Sequence, residues 1–281
     1  MLDSGLRADS ILEPRLQRSH GCLSLSLAAR DGRSAIAGWY QSGAAKARAP
    51  KVYSHRGIEA LLINTSGGLT GGDTLDVSLA VGEAASGVFT SQASEKIYRS
   101  LGGTVSIKVD MTVAKDGRGY WVPQDTIFFD EASLSRELRL AAADSAEFLI
   151  MEPLVFGREA MGERVSKGHY RDSWRVSVDD RLVFAEEARL SGDIAAGLAR
   201  PALGRGATAF LTGLYRGPAM EEKRDALRGL PCGEGTWAGA SVLRGTLSFR
   251  AAARDPADMR RWMVAAYGIL SGLPAPVAWR C

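Results

Sequence analysis

Between Val105 and Val113 every second residue is apolar: Val105, Ile107, Val109, Met111 and Val113 alternate with Ser106, Lys108, Asp110 and Thr112. Successive side chains take opposite faces only in an extended chain, so this period of two demands a strand with one buried face. Leu75, Val77, Leu79 and Val81 repeat the pattern against Thr74, Asp76, Ser78 and Ala80. From Gly21 onward Leu23, Leu25 and Leu27 do the same, and the Asp31-Gly32 turn followed by an apolar stretch to Tyr40 predicts a hairpin. Residues 41–50 read as a loop. Further strands are expected near 120–124, 126–130, 136–142, 147–156, 172–178, 181–190, 207–215 and 239–251. A strand about every ten residues is the pattern of an all-β fold.

Helical signals are few and late. Residues 218–229 carry Pro218, a run of helix formers and the stop signals Gly229 and Pro231. A stronger helix starts at Asp255-Pro256, where aspartate caps and proline fits the first turn. Its apolar positions Met259, Trp262, Met263, Ala266, Ile269 and Leu270 fall at three- and four-residue steps, and Gly272 with Pro274 ends it. No repeat of fixed period and no linker divides the 281 residues. The expectation is one β-rich domain over 1–281 with a minor helical part near the C-terminus, residues 1–19 being loosely ordered.

Charge and composition exclude several classes. The 35 basic and 32 acidic residues are spread along the chain without a Lys/Arg block, which speaks against nucleic acid as a partner. No apolar run reaches the roughly 18–20 residues of a membrane span, and the N-terminus lacks a hydrophobic leader core. Cys22, Cys232 and Cys281 are odd in number and far apart, which fits a reducing compartment; the expected location is the cytoplasm. His20, His55 and His169 are equally isolated, so no zinc spacing can be written.

Three stretches ask for an explanation. The first is GGLTGGD, with Gly67, Gly68, Gly71, Gly72 and Asp73, followed by SEKIYRS with Tyr98 and Arg99. Four glycines in six residues mark a backbone that turns sharply or is closely approached. The turn precedes a strand and lacks the phosphate-loop spacings, so a phosphate cradle at a helix N-terminus is not expected. The second stretch is WVPQDTIFF, where Pro123 must lie on an edge or strand end beside Gln124. The third is FGREAMGE, with Gly157, Arg158, Met161, Gly162 and Glu163. Nothing in the chain completes a nucleophile, base and orienter set, so no catalytic residue is assigned.

Together and in this order, GGLTGGD, SEKIYRS, WVPQDTIFF, GREAMGE and the late DPADMRRWMVAAYGILSGLPAPVAWR resemble the urease accessory protein UreD family, called UreH in some bacteria. The resemblance runs from about Gly21 to the C-terminus. It implies a mainly β, irregular two-layer β-helix-like fold with a few helices, mostly near the C-terminus. It also implies a maturation factor and not an enzyme: a scaffold and nickel-transfer chaperone that binds apo-urease and UreF, and through UreF the GTPase UreG. A homodimer of the UreD–UreF unit is admitted by the same resemblance, and no tightly bound cofactor is implied, only nickel in transit through an internal channel.

Carried over by position, the family's channel-associated acidic residues match Asp73, Glu152 and Glu186, with Glu163 inside the shared GRxxMGE motif. Glu152 stands where some members have aspartate. Ordinary readings stand beside each. Asp73 is a candidate turn lock through its own backbone. Glu152, flanked by Ile150, Met151, Leu154 and Val155, needs a partner or a polar cavity, and an ion pair with Arg158 is the competing role. Of Glu186 and Glu187, one should face inward. Tyr98 and Arg99 read most simply as structural. The Trp262, Met263 and Tyr267 face of the late helix is either core or, by resemblance, a contact for UreF.

Overall fold

The structure, a computed structural model, describes residues 17–53, 55, 57–158 and 162–280. The expected loose order of 1–19 falls mostly outside these residues; Gln17, Arg18 and Ser19 carry no regular structure.

Two sheets face each other. The first has seven strands in the order β14-β13-β11-β8-β5-β1-β2, namely β14 (Arg181–Asp193), β13 (Lys167–Val178), β11 (Ala132–Ala142), β8 (Val105–Val113), β5 (Thr74–Val81), β1 (His20–Arg30) and β2 (Arg33–Gly43). The second has ten. Its main path is β16 (Thr236–Leu243), β17 (Thr246–Ala253), β15 (Ala209–Arg216), β12 (Glu147–Phe156), β9 (Arg118–Trp121), β6 (Ser86–Ser91), β4 (Ile58–Asn64) and β3 (Ala45–Arg48). Beside β12 lie β10 (Thr126–Phe128) and β7 (Glu95–Ile97).

The chain winds between the layers. From β4 to β13 it alternates sheets, and each return lands parallel to the strand before: β5, β8, β11 and β13 are parallel neighbours in one layer, and β4, β6, β9 and β12 in the other. This is the expected mainly β, two-layer β-solenoid-like arrangement. Its coils differ in length and carry the short extra strands β7 and β10, which is why no fixed sequence period announces them.

Period-two alternation decides what each layer covers. In the first sheet, Leu79, Val109, Leu138 and Trp174 point between the layers while Ser78, Asp110, Arg139 and Arg175 point out. In the second sheet both faces are covered. Phe148, Ile150, Leu154 and Phe156 of β12 join the inter-sheet core, whereas Leu149, Met151 and Val155 join a second core under the helices. A strand buried on both sides reads as a continuous apolar run, as EFLIMEPLVF does.

Among the described residues three α-helices accompany the sheets, α1 (Ile194–Ala199), α2 (Met220–Arg228) and α3 (Pro256–Ser271), with a 3-10 turn at Val277–Arg280. The expected late helix has its expected ends. Asp255 accepts a hydrogen bond from Ala257 N at 2.8 Å, and Gly272 closes the C-terminus at φ 67°. Trp262, Met263 and Tyr267 are 4%, 0% and 1% exposed against the second sheet, so α3 uses its Met/Trp face as core.

Other expectations need correction. The loop expected at 41–50 contains the end of β2 and all of β3, because small residues such as Ala45 and Ala47 are buried without making an apolar pattern. The strand expected over 239–251 is a hairpin, turned at Arg244 (φ 50°) and Gly245 (φ 69°). Strands β4 and β6 and helix α1 were not anticipated.

Candidate functional site

GGLTGGD and SEKIYRS lie side by side. Leu69 N donates to Lys96 O at 2.7 Å, Tyr98 N to Leu69 O at 2.7 Å, and Thr70 Oγ1 to Arg99 O at 2.8 Å. A Cβ on Gly71 would fall 2.4 Å from Gly102 O, and one on Gly68 would fall 2.4 Å from the Tyr98 ring, at a φ of 152° that disfavours side chains. The glycines therefore let these loops close on one another. Asp73 holds the turn: its two carboxylate oxygens accept from Ser19 N and Thr70 N, both at 2.8 Å.

Around this end the other motif residues are engaged locally. Arg99 pairs with Glu131 at 2.7 Å, and the Tyr98 ring lies 5.0 Å from that of Phe129. Arg158 stacks on Phe129 at 4.5 Å and pairs with Glu163 at 3.0 Å, and the neighbouring Gly157 and Gly162 have positive φ. Met161 lies outside the described residues. Asp73, Glu163, Tyr98 and Arg99 are not among the residues lining the space between the sheets.

That space holds two cavities. One, of about 390 Å³, lies between β1, β5 and β8 and the second sheet, and its wall includes Asn64, Glu95, Trp121, Pro123 and Gln124. The other, of about 630 Å³, lies towards β13 and β14, and its wall includes Tyr170, Glu186, Phe210, Thr212 and Arg250. Arg136 and Glu152 line both.

At this shared wall three ionisable side chains meet. Arg136 and Asp172 are direct cross-strand partners on β11 and β13. The guanidinium donates through Nε to Asp172 Oδ1 at 3.1 Å and through Nη2 to Oδ2 at 2.5 Å. Glu152 reaches over from the second sheet and brings Oε2 to 3.2 Å from Arg136 Nε. Its other oxygen accepts from Trp121 Nε1 at 2.8 Å. Glu152 Oε2 and the indole nitrogen of Trp174 are buried without hydrogen bonds. Burial pushes the Glu152 carboxyl above its ordinary range, and the Arg136 charge opposes that rise. Glu152 pairs with Arg136 where Arg158 was the partner considered from the sequence.

Glu186 is the inward member of its pair. It stands opposite Trp174 in register, its side chain is 13% exposed, and it forms an ion pair with Arg250 of the second sheet. Glu187 faces out among Arg171, Arg175 and Arg189. In the first cavity Glu95, held by Asn64 Nδ2 at 2.9 Å, has its carboxyl pushed up to about 7 by burial.

The inter-sheet space therefore carries Glu95, then Glu152 and Asp172 on one arginine, then Glu186 on another. Among the described residues no three His, Cys, Asp or Glu side chains converge as a metal site. Arg136, Asp172 and Glu95 escaped the sequence reading. The available signal was parity: Arg136 shares the inward positions of Leu134 and Leu138, and Asp172 those of Tyr170 and Trp174.

Fold and site define a two-layer solenoid with cavities lined by ionisable side chains between its sheets and a helical cover on one side. The chain belongs to the UreD urease accessory protein family, whose sequence profile matches residues 19–279. It is 42% identical over 266 residues to the urease accessory protein UreD of Rhizobium leguminosarum bv. viciae, covering 94% of this chain and 96% of that one. It is 43% identical over 263 residues to the UreD of Mesorhizobium japonicum, covering 92% of each. With the UreD of Brucella suis it shares 47% identity over 204 residues, 73% of each chain.

Proposed function

We propose that this chain is a urease maturation factor that binds apo-urease and, through UreF, the GTPase UreG, and that it conducts nickel between its two sheets past Glu152 and Glu186. The observation that carries the reading is the shared wall: Arg136 and Glu152, in contact with each other, line both of two cavities in the inter-sheet space. A conduit needs sites weak enough to release the ion. Carboxylates hold Ni²⁺ loosely, whereas imidazole and thiolate ligands would retain it. Asp73 serves the passage only by fixing the loop beside it, since both its oxygens are engaged. Nickel is cargo here, and no resident cofactor is part of the reading.

UreF is assigned no contact through Trp262, Met263 or Tyr267, because these are core residues of α3. A homodimer of the UreD–UreF unit belongs to the same proposal, as does a cytoplasmic location, which the free thiols of Cys22 and Cys232 fit. No helix among the described residues is long and apolar enough to cross a membrane.

A second reading, an adaptor that positions apo-urease without touching the metal, is favoured by one observation: a buried guanidinium occupies the middle of the route. Co-purification of the chain with UreF, UreG and apo-urease, followed by GTP-dependent urease activation, tests the maturation role. Absence of UreF binding would overturn it.

A further inference from the structure

A permanent cation buried in the path of another cation is an unexpected feature, and the way it is held suggests a use. Arg136 is tied unequally to its two carboxylates. Its single Nε proton and one Nη2 proton go to Asp172, whose Oδ2 also accepts from Tyr170 Oη at 3.0 Å. Its remaining contacts, to Thr126 Oγ1 and Tyr170 Oη, are both 3.4 Å long. Towards Glu152 it offers proximity alone: Oε2 lies 3.2 Å from Nε yet accepts no hydrogen bond. The asymmetry follows from the fold, since Arg136 and Asp172 belong to neighbouring strands of one sheet and Glu152 to the opposite layer.

We propose that Arg136 is a resident counter-ion standing where the cargo cation would stand at Glu152, and that Asp172 is the fixed partner keeping Arg136 neutralised while a divalent cation takes its place. The inference rests on the passage reading above. Charge bookkeeping supports the exchange. With Arg136, Glu152 and Asp172 ionised the cluster carries one net negative charge; a divalent ion at Glu152 brings it to one net positive charge. Without Asp172 the loaded cluster would carry two positive charges in a site shielded from water, where such repulsion is strong. Trp121 fixes one Glu152 oxygen, while the other lies 3.2 Å from Arg136 Nε, with the Trp174 indole beside the carboxylate. Arg136 thus keeps Glu152 from becoming a trap, while Asp172 keeps Arg136 from becoming a plug.

Two substitutions should act in opposite directions, which a merely structural cluster would not produce. In the full-length chain, Arg136→Gln is expected to bind Ni²⁺ in equilibrium dialysis about tenfold more tightly than wild type, because two carboxylates are left without their cation. Arg136→Gln with Glu152→Gln should return binding to the wild-type level. Asp172→Asn should bind no more nickel than wild type, and in the assembled complex it should slow nickel delivery. If Arg136→Gln does not fold, Arg136→Gln with Asp172→Asn removes one charge of each sign and should still show excess nickel that depends on Glu152. Equal binding by folded Arg136→Gln, or by this double variant, and wild type would overturn the counter-ion role, as would excess binding by Asp172→Asn. Failure of the passage reading shows separately, as unchanged nickel delivery in Glu152→Gln.

Discussion

Trp121 and Glu152, on neighbouring strands of the second sheet, are joined by a 2.8 Å hydrogen bond from the indole to one oxygen of the buried Glu152 carboxylate. The indole thereby aims one carboxylate oxygen and leaves the other facing Arg136. Replacing Trp121 with Phe keeps most of the ring and removes the donor. The expected loss is about 1–3 kcal/mol in urea unfolding, the cost of an unsatisfied buried group. Adding Glu152→Gln should recover part of it, because a neutral amide is cheaper to bury than an ion.

Asp73 is engaged by backbone N–H groups of Ser19 and Thr70. Asp73→Asn keeps one acceptor oxygen and loses the second, so stability should fall by about 1–2 kcal/mol. Nickel content of urease matured with this variant should equal that with wild type under conditions where the variant is folded. A loss of nickel in the folded variant would return Asp73 to the route.

The α3 face is read by the size of its core effect. Trp262→Ala empties a site 4% exposed between α3 and Phe249, whose ring centroid lies 6.3 Å away. Destabilisation of about 3–5 kcal/mol is expected. Partner binding by the fraction that remains folded should be unchanged in a pull-down, since the indole is not presented at the surface.

Glu95 makes stability depend on pH. Its carboxyl is raised from 4.5 to about 7 by burial, with Asn64 opposing. Between these values the folded chain binds more protons than the unfolded one, so the contribution is fully present below about 4.5 and is lost as pH rises through about 7. The loss is on the order of 2 kcal/mol, allowing for partial exposure. Glu95→Gln should remove this slope from a plot of urea midpoint against pH.

The strands of the first sheet were legible because that layer is amphipathic, and β5 and β8 declare themselves through strict alternation. What stayed hidden has specific causes. Arg136 and Asp172 sit at inward positions, and a charged residue within an apolar pattern reads as its edge: strands were expected to begin at 136 and 172, whereas β11 begins at Ala132 and β13 at Lys167. The Arg136–Asp172 pairing depends on parallel register between strands 36 residues apart, which no local pattern encodes. Glu152 was recognisable as a carboxylate in an apolar strand. Arg158, near it in sequence, pairs instead with Glu163, and the fold brings Arg136 across from the other sheet.

The central claim is that nickel moves past Glu152 and Glu186, and the direct measurement is the nickel content of urease matured by complexes carrying Glu152→Gln, Glu186→Gln or both. The account predicts intact co-purifying complexes with nickel lowered in each single variant and by at least about fivefold in the double variant, as expected when successive stations of a conduit are removed. Wild-type nickel content in urease matured by the double variant, with the complex intact, would contradict it.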